Sequence, residues 1–250
     1  MSSYKMNFRS IPNSEFKDNE LTSKYIDVIH GTLVNPFTNE AVGEVEAIRI
    51  DIKKALEDGG SMLLGYVMDS HYEISSIADV MAKTTAFDMM EDSKSWTLKD
   101  DVFTMMHTEG KDDNVNVTYI RENRIMPEFM GQGLGSLLLK ATAQHVGKED
   151  GLVLLESLPL QLCSNIESAS EYKLAIRESE EESKAKLKSF YEKNKFQHVV
   201  DERHDWMVAS TRELSELNTK VKVSVNTVSD TQDMGKQQYR VHEDEVSYGW

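Results

Sequence analysis

Residues 114–141 read NVNVTYIRENRIMPEFMGQGLGSLLLKA, and this stretch decides the fold. Val115, Val117, Tyr119 and Ile125 belong to an extended, β-rich segment that Pro127 closes. Leu134, Leu137, Leu138 and Ala141 then recur at helical spacing. Between the two stand Gly131, Gly133 and Gly135, three residues without a Cβ where a helix starts and a side-chain cap is usual. The first N–H groups of a helix have no intrahelical acceptor, and the helix dipole adds partial positive charge there, so this end suits an anion. Glycines let the anion approach the backbone closely, and Ser136 adds a hydroxyl donor. A tight strand-to-helix turn packed on neighbouring backbone is the plain structural alternative.

Immediately downstream, GLVLLESLP (151–159) is a short apolar run of the kind a buried strand shows, so the unit is strand, glycine turn, helix, strand. Upstream, KYIDVIHGTLVN (24–35) and AVGEVEAIRIDI (41–52) flank the turn-rich PFTNE and predict a hairpin. IKKALEDGG (52–60) predicts a short helix ended by Gly59 and Gly60, and HYEISSIADVMAK (71–83) carries Ile74, Ile77, Ala78 and Met81 at helical spacing. Residues 84–114 read as helix plus loop. A long polar helix is expected over 169–194, with Tyr172, Ile176, Leu187, Phe190 and Tyr191 inward and RESEEESKAK as a solvated face. FQHVV (196–200) and WMVAS (206–210) predict a closing hairpin.

Composition narrows the function classes. The 250 residues, 39% of them hydrophobic, are enough to fill a core. The single Cys163 excludes an internal disulfide framework and a Cys-rich zinc site and fits a reducing compartment. The segment MSSYKMNFRSIPNSEFKDNE has no long apolar run after its basic residues, and no stretch reaches the about 20 apolar residues of a membrane span. The expectation is a cytoplasmic protein that neither crosses nor binds a membrane. A net charge of −15 argues against nucleic acid and favours either cationic partners or plain solubility. The seven histidines show no HExxH spacing, so no metal is expected, and Ser136 lacks the G-x-S-x-G context of an esterase.

The glycine stretch fits neither nucleotide motif with a general mechanism: it has no GK[ST] ending and no G-x-G-x-x-G spacing. MGQGLG (130–135) resembles instead the R/Q-x-x-G-x-G/A pyrophosphate loop of the GNAT superfamily of N-acetyltransferases, with Met130 in place of the usual Arg or Gln. SFYEKNKF (189–196) is similar to the family's YEKLGF helix end, with Lys195 where Gly is usual, and a β-hairpin follows it as in the family. LPLQL (158–162) looks like a stretch found in a poorly characterised bacterial and phage branch, which also carries segments similar to VGEVEAIRIDI and DSHYE.

The resemblance implies a single α/β domain over residues 24–210, with a GNAT-like mixed, mostly antiparallel central sheet flanked by helices. Residues 1–23 and 211–250 stand outside it as extensions. It implies acetyl-CoA as cosubstrate, bound by the amides from Met130 through Gly131, Gln132, Gly133, Leu134 and Gly135 to Ser136, with the amides near Ile125 and Met126 polarising the thioester carbonyl. A primary amine, on a small molecule or a protein, would be acetylated by direct transfer in a ternary complex. Tyr191 falls at the family's acid position, five residues before Phe196, and a phenol is a reasonable proton source for a thiolate; a core aromatic is the alternative. Glu122 is the candidate base, with Glu156, Glu44 and Glu46 also near the cleft; together they would give its amine side a negative charge suited to a cationic acceptor. The second function class is a non-catalytic protein of this fold that engages a basic partner through its acidic surface. VKVSVNTV (221–228) alternates like a strand. The C-terminal extension is then an edge strand, a contact in a homodimer, or partly disordered.

Overall fold

The computed structural model describes residues 3–11, 22–83, 86–91, 95–100, 102, 116–147, 151–159, 179–199 and 205–227. The strands are β1 (Tyr4–Ile11), β2 (Ile26–Val34), β3 (Ala41–Ile50), β4 (Asn116–Ile125), β5 (Gly151–Glu156), β6 (Gln197–His198), β7 (Trp206–Ser210) and β8 (Val223–Thr227). The helices are α1 (Ile52–Met68), α2 (Tyr72–Met81), α3 (Ala86–Glu91), α4 (Leu134–Val146), α5 (Glu180–Lys193) and α6 (Thr211–Ser215). The eight strands form one mixed sheet in the order β6-β7-β5-β4-β3-β2-β1-β8. The β4–β5 and β1–β8 pairs are parallel and the others antiparallel. The fold is therefore α/β, with helices on both faces.

The alternation of each strand sends its apolar residues to two cores. On one face Ile26, Val28, Ile48 and Ile50 pack with Leu64, Ile74, Ile77 and Met81 of α1 and α2. On the other, Phe8, Ile29, Val45 and Ala47 pack with Leu137, Leu138 and Ala141 of α4. The β2–β3 hairpin turns through the predicted PFTNE, where Asn35 Oδ1 accepts from the Phe37 amide at 3.0 Å and Asn39 adopts φ 59°.

Three segments differ from their sequence reading. The first helix does not end at Gly59 and Gly60: Gly60 breaks it with φ 67°, and it resumes to Met68 because Leu64, Val67 and Met68 bury a second apolar stripe. The polar helix begins at Glu180, where Ser179 and Glu182 form a reciprocal capping box; residues 169–178, with Tyr172 and Ile176, lie outside the described residues. Residues 4–11, within the segment read as an N-terminal extension, supply β1, which pairs with β2 and with β8 from the C-terminal segment. Residues 228–250 are outside the described residues.

The site is positioned by a local failure of pairing. β4 and β5 are in register only from Asn116↔Gly151 to Ile120↔Leu155, although β4 runs on to Ile125. At the same level the β3–β4 ladder shifts, with Glu46 opposite Glu122 but Ala47 opposite Ile120, so that Arg121 is the extra residue of a bulge. Past this bulge β4 leaves β5, and a gap opens between them.

Candidate functional site

A cavity of about 770 Å³ occupies the gap, within the range of small-molecule and cofactor sites. Residues of both sheet faces line it. From the α4 face come Asn123, Gly131, Gly133, Ser136, Ser183 and Tyr191, and from the opposite face Arg121, Glu122 and Glu156. The floor is Ile120 and Leu155, the last residues in register.

The glycine loop forms one wall. Gly133 is the N-cap of α4 with φ 80°, a left-handed conformation that penalises any residue with a Cβ, and no side chain caps the helix. The first intrahelical bond is Leu137 N–H to the Gly133 carbonyl at 3.3 Å, which leaves the amides of Leu134, Gly135 and Ser136 without an intrahelical acceptor beside the cavity. Gly135 has a different reason to be glycine. A Cβ there would stand 2.9 Å from Phe190 Cζ, so this residue sets the approach of α5 to α4. Leu134 contributes backbone only, its side chain being buried in the core.

Met130 lines the cavity, but its amide and that of Met126 are already bonded within the protein. The Met130 amide is taken by the Pro127 carbonyl at 3.2 Å, and the Met126 amide by the Val42 carbonyl at 3.0 Å. Gln132 and Met126 are not among the residues lining the cavity. The Met126–Val42 bond fixes the alternation of β4, so that the Ile125 and Asn123 amides face away from β3, toward the β5 side.

Tyr191 is held by the end of its own helix. Phe196 N–H bonds the Tyr191 carbonyl at 3.1 Å and Lys195 N–H the Glu192 carbonyl at 3.1 Å, with Lys195 at φ 74°. This is the Schellman arrangement, whose hydrophobic contact is the Tyr191–Phe196 edge-to-face pair at 5.4 Å. The five-residue spacing of the two aromatics is thus a helix-termination rule. Burial pushes the Tyr191 phenol up to about 12, opposed by a hydrogen bond from the Asn123 side chain.

On the opposite face, the carboxylates meet two arginines that the sequence reading passed over. Arg121 bonds Glu46 Oε1 through Nη1 at 2.9 Å and Glu73 Oε2 through Nε at 2.9 Å, while Arg124 bonds Glu44. Arg124 Nη1 stands 3.3 Å from Glu122 Oε1, a charge contact without hydrogen-bond geometry, since that oxygen is buried with no hydrogen-bond partner. Burial raises the Glu122 carboxyl above its usual range, the Arg124 charge opposing it and those of Glu46 and Glu44 adding to it. Glu44 and Glu46 are therefore ion-paired and Glu122 faces the Arg124 charge, so the acidic charge expected on the amine side of the cleft is partly compensated. In a regular strand Arg121 and Arg124, three apart, point to opposite faces; the bulge brings both to the glutamates.

Buried polar atoms without partners concentrate here. Glu122 Oε1, Asn123 Oδ1 and Ser183 Oγ are all buried and unbonded, and all three residues line the cavity. Such atoms are costly unless a ligand or water satisfies them. Among the described residues no group of three or more His, Cys, Asp or Glu is placed to hold a metal ion, and no helix is long and apolar enough to cross a membrane. No family model and no curated protein sequence matches the chain.

Proposed function

We propose that this protein is an acetyl-CoA-dependent N-acetyltransferase of the GNAT type, transferring the acetyl group directly to a primary amine in a ternary complex. The observation that carries the reading is the cavity between β4 and β5, which is lined from both sheet faces and so offers two substrates separate approaches to one point. The sheet order, with a parallel pair at the central β4–β5 junction and a bulge beside it, supports the GNAT-like arrangement.

The residues fit acetyl-CoA as a cosubstrate. The uncapped amides of Leu134, Gly135 and Ser136 suit its pyrophosphate. The unbonded hydroxyl of Ser183 suits its amide-bearing arm. On the other face Glu122 is the group to take a proton from the amine, and its raised pKa makes it a stronger base than a solvated carboxylate. Tyr191, protonated at any physiological pH, is the group to give one to the departing sulfur.

Calorimetric titration with acetyl-CoA, followed by free-thiol release across a panel of primary amines, tests the proposal. Saturable binding and amine-dependent thiol release are expected. A folded protein that gives neither overturns the reading.

A further inference from the structure

Tyr191 is buried at the wall of the cavity, and burial alone makes a phenol a poor acid, because the phenolate it leaves is poorly solvated. What the structure sets against this is Asn123. The alternation of β4 turns Asn123 to the face opposite Glu122, where it borders the cavity with Tyr191 and the two side chains share a hydrogen bond. Asn123 Oδ1 is buried without a partner. The one orientation that fits both facts has the carboxamide Nδ2 as donor and the phenolic oxygen as acceptor. A hydroxyl that accepts at its oxygen keeps its own hydrogen for something else. Edge-to-face contacts with Phe190 at 5.1 Å and Phe196 at 5.4 Å hold the ring, so only rotation about the C–O bond is left to aim that hydrogen.

We propose that Asn123 is the positioning residue for Tyr191: it donates to the phenolic oxygen, leaves the phenolic hydrogen directed at the departing sulfur, and holds the phenolate that results. This rests on the acetyltransferase reading. In the step itself the amine nitrogen bonds the thioester carbon, the C–S bond breaks with its electron pair on sulfur, and the phenolic proton passes to that sulfur. The phenolate recovers a proton from those shed by the amine nitrogen. A hydrogen bond from Asn123 is worth more to the phenolate than to the phenol, so it favours the transfer.

The test compares the wild type with Asn123→Leu, Asn123→Asp, Tyr191→Phe and the Asn123→Leu/Tyr191→Phe double variant. Acetyl-CoA affinity is read by calorimetry and turnover by thiol release, with a saturating amine or, where no amine is used, with water as acceptor. Each single substitution is expected to lower kcat by about tenfold or more with acetyl-CoA affinity nearly unchanged. The double variant is expected to be no slower than Tyr191→Phe, because without the acid nothing is left to position. Asn123→Asp keeps the side-chain shape, so a Leu variant that fails to fold leaves the test intact. Asn123 variants at the wild-type rate beside a slow Tyr191→Phe, or losses that multiply in the double variant, overturn the proposal and leave the acid role standing. Tyr191→Phe at the wild-type rate, or bound acetyl-CoA that never releases thiol, removes the acid reading and this proposal with it.

Discussion

Lys195 holds a backbone φ of 74° at the end of α5, a conformation in which a Cβ crowds the following carbonyl. The Schellman geometry requires it, and glycine meets it without strain. Lys195→Gly is expected to raise stability by up to about 1 kcal/mol, part of the relief being returned through the freer unfolded chain. A denaturant titration with unchanged slope measures it, and a destabilised variant would show that the Lys195 side chain contributes a contact worth more than the strain. Gly133, at φ 80°, differs because a Cβ there meets nothing within 4 Å in the protein. Gly133→Val is therefore expected to cost about 1 kcal/mol in backbone strain and to weaken acetyl-CoA binding by about tenfold or more, since the side chain enters the space an anion would take. Equal affinity in the folded variant would leave the loop a turn and nothing else.

At the scale of elements, the α4–α5 contact and the start of α5 are the two places where single residues carry the geometry. Gly135→Ala places a Cβ 2.9 Å from the Phe190 ring, and the helices must part. A loss of about 1–3 kcal/mol is expected, recovered in large part when Phe190 is shortened to Leu in the same chain. Losses that simply add would show that Gly135 matters for something other than this contact. Ser179→Ala removes the capping box that satisfies the first amides of α5, at a cost of about 1 kcal/mol. Thermal melts of the two variants separate the effects, because only Gly135→Ala also shifts Phe190 at the cavity wall.

Across the whole molecule, β8 joins residues 223–227 to residues 4–8 at the edge of the sheet. His145, near the end of α4, seals this edge: it stacks on Phe8 at 4.1 Å and stands 3.4 Å from Thr227 Oγ1. Burial lowers its pKa, and that of His30 on β2, below the ordinary histidine value of about 6.5. Each binds its proton less readily when folded than when unfolded. Their contribution to stability is therefore complete above about pH 6.5 and is lost as the pH falls below it. The melting temperature is expected to drop between pH 7 and pH 5, and His145→Phe, which keeps an aromatic ring on Phe8, is expected to make the drop shallower. An identical pH dependence in the variant would assign the effect to other groups.

Much of the fold was legible in the residues because its rules act over a few positions. β-rich runs around a Pro/Asn turn marked the β2–β3 hairpin, an extended segment closed by Pro127 marked β4, a short apolar run marked β5, the glycines marked an uncapped helix start, and the resemblance of SFYEKNKF to a family helix end marked Lys195 as standing where glycine is usual. Ser179 and Glu182 carried a capping signal as well, but the apolar pattern read past it. The site needed more than local rules. One extra residue at Arg121 inverts the alternation of everything after it, and so decides that Arg121, Glu122 and Arg124 share a face while Asn123 turns to Tyr191. The partners of those side chains lie on β3, α2 and α5, tens of residues away. Strand pairing, which is set by the packing of the whole sheet and not by any one segment, determines where β4 and β5 part, which carboxylates are neutralised, and that β1 and β8 complete the same sheet.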